Sequence, residues 1–425
     1  MQLYGGLYMI SRRATLKGVL LSATMIAGAT GFGEQARAAD KVLKIGIDLS
    51  FTGADAENAG RIANGAILAF DEANAKHEVP GYTFQLVKYD DATPTAGQYD
   101  PAQAATNARS MVSDKSTVAA IGPQMSGAGK AMAPILSQGD LAIITPSSTN
   151  PDITDPKFAA QYRPAGKAIY FRTVATDAFQ GPNMANYMAD KLKVKSVFVL
   201  DDTGAYGVGL ADAFQAQAEK KGLKILGRDK LDPKAVDYSS ILTKIKSLNP
   251  DSLYYGGVAQ AGVKLAKQAY DIIPKMIRAG GDGIQSADFL KGAGFPAVEG
   301  WYATVASPHF EASSDAKAKA FSDAYSKKFN QHPDDYTVTC YTAAEVIIQA
   351  VKDLVKAKKP VDRNSVRDAI QDVDLKNTLV GPVEFDANGD LKNKVISVFQ
   401  ITKDDKAPLD DPTAQYKYVG TAPMA

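Results

Sequence analysis

Val118-Ala119-Ala120-Ile121-Gly122-Pro123-Gln124-Met125-Ser126-Gly127 is an apolar run cut off by Gly-Pro and followed by a hydroxyl residue and a second glycine. Residues 118–122 read as a strand, because a short apolar run bounded by turn formers suits a sheet covered on both faces. Residues 127–139 then carry helix-like spacing, and 142–145 return to a strand. Strand, helix and strand in one stretch predict a parallel crossover unit.

The same alternation extends in both directions. On the N-terminal side, Val42 to Ile47 reads as a strand, 58–75 as a helix with Ala63, Ile67, Leu68 and Phe70 on or near one face, 82–89 as a strand and 102–113 as a helix. Past a break near Arg172 the pattern restarts: strands at 196–200, 224–230 and 252–256 alternate with helices at 207–221, 238–248 and 261–270. The expected fold class is α/β, with two doubly wound parallel-sheet lobes. In open parallel sheets ligands bind beyond the carboxyl ends of the strands, so the loops after the strands are where function is sought.

The chain has 425 residues, 48 basic and 47 acidic, with a single cysteine, Cys340. One cysteine excludes an intramolecular disulfide and thiolate metal sites, so stability must come from a hydrophobic core, which a chain this long can build. At the N-terminus Ser11-Arg12-Arg13-Ala14-Thr15-Leu16-Lys17 precedes an uncharged run from Gly18 to about Phe32 and then Ala36-Arg37-Ala38. The run is short for a membrane span of roughly 20 apolar residues, and the small residues fit a signal-peptidase site. Residues 1–38 are therefore expected to be a twin-arginine-like export signal that is removed, with Met9 as an alternative start and an uncleaved anchor as the competing reading. Removal takes away four basic residues and one acid, leaving 44 and 46, a net charge of −2. That balance argues against nucleic acid and anionic membrane as partners. The processed chain is expected to be periplasmic and monomeric.

Several of the loops after the strands are distinctive. They are Ile47-Asp48-Leu49-Ser50-Phe51-Thr52-Gly53, then Gly122-Pro123-Gln124-Met125-Ser126-Gly127, then Thr145-Pro146-Ser147-Ser148-Thr149-Asn150-Pro151. Tyr170-Phe171-Arg172-Thr173 with Gln180-Gly181, Asp202-Thr203-Gly204-Ala205-Tyr206-Gly207, and Gly381-Pro382-Val383-Glu384-Phe385-Asp386-Ala387-Asn388-Gly389 follow. In this order and spacing the chain resembles the branched-chain amino-acid-binding family of periplasmic proteins that feed ABC importers. The resemblance implies a type I periplasmic binding protein fold, with a three-crossover hinge near Arg172-Thr173, Tyr302-Ala303 and Gly381-Pro382. It divides the chain into lobe 1 (39–172 plus 303–381) and lobe 2 (173–302 plus 382–425). It also implies a small-molecule ligand, closure by hinge motion, an inner-membrane ABC permease as partner, and no cofactor.

Ser126 opens a helix, where it either caps that helix or helps its unpaired N–H groups receive a carboxylate. Ser147, Ser148 and Thr149 offer hydroxyl and backbone donors, or form an ordinary turn. The resemblance implies that Ser126, Ser147 and Thr149 hold a ligand carboxylate. Tyr206 is either a ring that covers the ligand or a surface aromatic. Asp282, in Gly280-Gly281-Asp282-Gly283, is either a turn residue or the partner of a ligand ammonium, its glycines allowing close backbone approach and unusual φ. Two departures from the family, Gly256-Gly257-Val258-Ala259 and the stretch at Glu57-Asn58, lack the aromatic or polar contacts that relatives carry, which leaves the ligand's side chain open. Aromatic acids, keto acids and amides compete with amino acids. The acidic stretch Asp90-Asp91 to Tyr99 is expected to be a solvated loop rather than a cation site.

An enzyme is not expected. Three histidines lack metal-ligand spacing, and no nucleophile elbow, phosphate loop or dinucleotide fingerprint is present. A sensing subunit that reports to a membrane receptor would carry the same fold and site.

Overall fold

The computed structural model describes residues 40–312 and 315–425. The expected export signal, 1–38, lies outside the described residues. The first sheet contains β1 (Lys41–Leu49), β2 (Tyr82–Asp90), β3 (Thr117–Ile121), β4 (Ile143–Thr145) and β5 (Tyr170–Arg172) in the order β2-β1-β3-β4-β5. All its pairings are parallel. Every residue of β3 and β4 is buried, as expected for strands covered by helices on both faces.

The second sheet takes β6 (Ser196–Asp201), β7 (Lys224–Lys230), β8 (Ser252–Gly256), β9 (Ile277–Gly280) and β10 (Tyr302–Val305) as a parallel set. A small antiparallel hairpin, β11 (Asp374–Thr378) with β12 (Gly381–Glu384), stands apart. The chain then adds β13 (Ser397–Ile401) and β14 (Tyr416–Thr421) antiparallel to the β10 edge, giving the order β14-β13-β10-β9-β8-β6-β7. The second sheet is therefore mixed, where the sequence had suggested parallel pairing throughout.

Tyr302–Val305 belongs to the second sheet, so the chain leaves that sheet at Ala306 rather than at Tyr302-Ala303. It re-enters at Ser397, whose hydroxyl donates to the Ser307 carbonyl at 2.8 Å, well beyond Gly381-Pro382. The crossover after Arg172 stands at the end of β5, where the Ala175 N–H reaches the Ala306 carbonyl at 2.7 Å.

Between its second and third passages the chain returns to the first sheet. The helix Asp335–Lys356, opened by a capping box at Asp334 and Thr337, lies on the helix Ala56–Ala75. The two backbones approach so closely that a Cβ on Gly65 would sit 2.1 Å from the Thr337 carbonyl oxygen. Among the described residues no helix is long and apolar enough to cross a membrane.

Candidate functional site

The site lies beyond the carboxyl ends of strands from both sheets, where open parallel sheets place ligands. A cleft with about 410 Å³ of empty space, open solvent included, is bounded by Ser126 (after β3), Ser147 (after β4), Tyr206 (after β6), Val258 (after β8), Asp282 (after β9), Tyr336 and five further residues, among them Asp55, Asn58 and Gln124. Four of the six candidate residues therefore meet at one cavity. Ser148 and Thr149 are buried beside it without lining it.

Ser126 is the first residue of the helix Ser126–Gln138, and Met125 occupies the cap position without a capping bond. Its hydroxyl is thus not used on its own helix. It accepts from the Asn150 N–H at 3.2 Å and from the Ser148 hydroxyl at 3.4 Å. The N–H groups of the first turn keep their positive end at the cavity. Ser147 donates to the Gln124 carbonyl at 3.1 Å, which ties the loops after β3 and β4 together. Thr149 turns toward the first crossover: its carbonyl accepts from the Asp177 N–H at 2.9 Å.

Behind these loops stands Arg172, fully buried at the end of β5. Its guanidinium donates to the carbonyls of Ser148 and Asn150 and to Thr154 Oγ1, and its Nε bonds Asp390 Oδ1 at 2.7 Å. Asp390 follows a turn that needs a glycine: Gly389 has φ +96°, and a Cβ there would lie 2.2 Å from the Tyr170 carbonyl oxygen. The Asp386-Ala387-Asn388-Gly389 stretch thus supplies the anchor of the serine-rich loop.

In the second half, Asp282 is buried and receives the Tyr206 hydroxyl at 2.6 Å on one oxygen and the Tyr336 hydroxyl on the other. Tyr206 lies in the first turn of the helix Ala205–Lys220, and its hydroxyl also accepts from the Gly283 N–H at 3.0 Å. The flanking glycines serve close approach rather than unusual φ. A Cβ on Gly281 would stand 2.3 Å from the Tyr206 hydroxyl, and one on Gly283 2.4 Å from the Gly257 carbonyl, with neither residue at positive φ.

Burial pushes the Asp282 carboxyl up against the opposing pull of its tyrosine and Gln180 bonds. Asp177, also buried, is held well above the usual carboxylate range by burial and by the charge of Asp282. No Lys, Arg or His forms an ion pair with either acid among the described residues. Asp282 is therefore buried with hydrogen-bond donors and without an ion-pair partner among the described residues, a setting that a positive group would complete.

Sequence reading missed Tyr336, Arg172 and Asp55. Tyr336 sits one residue inside a long helix after Pro333-Asp334, and only its position in the fold aims it at Asp282. The Asp90 to Tyr99 stretch is not simply solvated: Asp91 is fully buried, accepts from Ser50 Oγ at 2.7 Å, and is pushed by burial to about 6. No group of three metal-ligating side chains forms among the described residues.

The two halves also touch around the cavity. Asn150 Nδ2 donates to the Ala205 carbonyl at 2.8 Å, and the Asn58 N–H to Asp288 Oδ2 at 3.0 Å. Two α/β sheets with a cleft beyond their strand ends define a type I periplasmic binding protein. The chain belongs to the periplasmic binding protein family, whose model matches residues 42–406.

The chain is 31% identical over 358 residues to the Leu/Ile/Val-binding protein BraC3 of Rhizobium johnstonii, covering 84% of this chain and 91% of that one. It is 30% identical to the leucine-, isoleucine-, valine-, threonine-, and alanine-binding protein of Pseudomonas aeruginosa, over 88% of this chain and 93% of that protein. Among solved structures, the leucine binding protein LivK of Thermotoga maritima superposes with a TM-score of 0.77 at 25% identity, covering 89% of this chain and 98% of that one.

Proposed function

We propose that this protein is the solute-binding component of an ABC importer and captures an α-amino acid, of the branched-chain or a related class, by closing two lobes around it. One observation carries the reading: a single cavity joins a helix N-terminus with the hydroxyls of Ser126 and Ser147 to a buried carboxylate, Asp282, that lacks a cation. An α-amino acid supplies both missing charges, a carboxylate for the donors and an ammonium for Asp282. Tyr206 and Tyr336, one from each half, bridge to Asp282 and would hold it in place for the ammonium. The Leu/Ile/Val-binding relatives support the same class of ligand.

The two sheets are the cores of the two lobes. Their limits lie near 39–172 plus 303–381 and 173–302 plus 382–425, and the places of β10 and β13 in the second sheet support a later second passage, after Val305, and a third just before Ser397. The protein acts as a monomer without enzymatic chemistry. Residues 1–38 direct it through a twin-arginine-like route to the periplasm, where it delivers its ligand to an inner-membrane permease.

Calorimetry on wild type and Asp282→Asn, with L-leucine and its 2-keto analogue as probes, tests the ligand class. Wild type binds leucine more tightly than the keto acid, and Asp282→Asn removes that preference. A wild-type protein that prefers the keto acid would overturn the amino-acid reading.

A further inference from the structure

Asp55 opens the helix Ala56–Ala75 from its cap position, yet its carboxylate makes no capping bond. It is 3% exposed, lines the cavity, and makes no side-chain hydrogen bond or ion pair among the described residues. Two neighbours on the same cavity behave alike. Asn58 (8% exposed) and Gln124 (6% exposed) each hold a side-chain oxygen that no donor reaches. Other buried acids nearby find donors: Asp48 takes Asn107 Nδ2 at 2.7 Å, and Asp202 takes the N–H groups of Gly204 and Val258 at 3.0 and 2.9 Å. Burying polar oxygens without donors is costly, and three on residues that line one cavity point to donors brought by a ligand.

The charge around Asp55 narrows what those donors are. Burial, and then the charges of Asp288, Asp91 and Asp202, push its carboxyl up to about 7. The nearby cations are engaged elsewhere: Arg61 and Lys291 both pair with Glu57, at 3.6 and 3.4 Å. The wall is therefore negative as well as rich in acceptors. Met125 and Val258 line the same cavity and give it apolar surface suited to methylene groups. A second cleft, lined by Tyr99 and Asp202, adjoins the first at Met125, Ser126, Tyr206 and Val258 and extends it.

Resting on the amino-acid reading above, we propose that the ligand is an α-amino acid whose side chain ends in a cation, an ammonium or guanidinium, held by Asp55 with the Asn58 and Gln124 oxygens. The ligand's α-ammonium meets Asp282 and its carboxylate meets the donors at Ser126 and Ser147. The distal cation then meets the one cavity-lining acid that has no donor of its own. A branched aliphatic side chain would leave Asp55 buried and unpaired.

Calorimetry with L-ornithine, L-lysine, L-arginine, L-glutamine and L-leucine tests this on wild type, Asp55→Asn and Gln124→Met. At least one basic amino acid is expected to bind wild type about tenfold or more tighter than leucine and glutamine. Asp55→Asn should reduce the ratio of basic to leucine affinity by about tenfold to a hundredfold. Gln124→Met, which keeps the carboxylate, should lower the same ratio by a smaller factor and serves if Asp55→Asn does not fold. Leucine or glutamine binding more tightly than every basic amino acid would overturn the cationic assignment and leave the amino-acid reading standing. So would an unchanged ratio in the variants. Binding of benzoate with no binding of any amino acid would overturn both.

Discussion

Arg172 and Asp390, 218 residues apart in the chain, form a 2.7 Å ion pair in which the arginine is wholly buried. The pair fixes the guanidinium so that its other nitrogens hold the carbonyls of Ser148 and Asn150. The serine-rich loop is thus shaped from behind by a residue that does not line the cavity.

Asp390→Ala should destabilise the protein by about 3–5 kcal/mol, because it leaves a buried guanidinium without its charge partner. Urea denaturation gives the midpoint shift. A loss under about 1 kcal/mol would mean that the three carbonyl and hydroxyl acceptors suffice for the arginine.

Ser126→Ala removes a hydroxyl that both bounds the cavity and receives the Asn150 N–H. Affinity for the ligand should fall about tenfold to a hundredfold, the loss of one donor to a buried charge. Titration calorimetry reads it, and unchanged affinity would remove Ser126 from the carboxylate site.

Asp55 makes an opposite prediction for the ligand-free protein. A carboxyl raised to about 7 in the folded state, against about 3.9 unfolded, binds its proton more tightly when folded. Its contribution therefore turns unfavourable as pH rises from about 4 to 7 and stays so above. Asp55→Asn should raise the melting temperature without ligand at pH 8 and change little at pH 4. A lower melting temperature at pH 8 would show that the ionised carboxylate has a partner.

His309 and Asp335 join the second crossover to the helix that carries Tyr336, at 3.1 Å. Burial lowers the His309 pKa, but the bond and charge of Asp335, with Glu311 beside it, raise it overall. The stabilisation is full below the unfolded value of about 6.5 and is lost as pH rises through the higher folded value. Thermal melts of wild type and His309→Gln from pH 5.5 to 8.5 should converge toward the alkaline end. Curves that stay parallel would exclude a charged histidine at this crossover.

Closure around ligand should shrink the radius of gyration in small-angle scattering. Tyr336→Phe, which removes the hydroxyl that reaches Asp282 from the other half, should weaken ligand binding by about tenfold. Identical scattering profiles with and without ligand would count against the hinge.

The alternation of strands and helices was legible because each unit's pattern is local. Lys224–Lys230 and Ser252–Gly256 fall where the sequence placed them. The antiparallel β13 and β14 were not, since pairing direction depends on which edge a late segment reaches. Ser126, Ser147, Tyr206 and Asp282 could be found because each follows a strand that ends at the cleft. Tyr336 and Arg172 act through contacts 54 and 218 residues away, and no local pattern marks them. Asp91 looked like loop polarity, and only the sheet edge above it shows that it is buried.

The close fit of Gly65 against Thr337 also bears on how the chain matures. The helix Ala56–Ala75 emerges early in synthesis, but the surface that covers it arrives some 270 residues later, with Asp335–Lys356. Until then the face that Asp335–Lys356 covers has no partner, though the side toward β1 and β2 can pack early. A fragment that stops after β5 would lack the cover for that face, so cutting the gene at the first crossover should not yield two independently stable products. Near-complete synthesis must precede the first stable half, so any export machinery that requires folded cargo has to wait for almost the entire polypeptide.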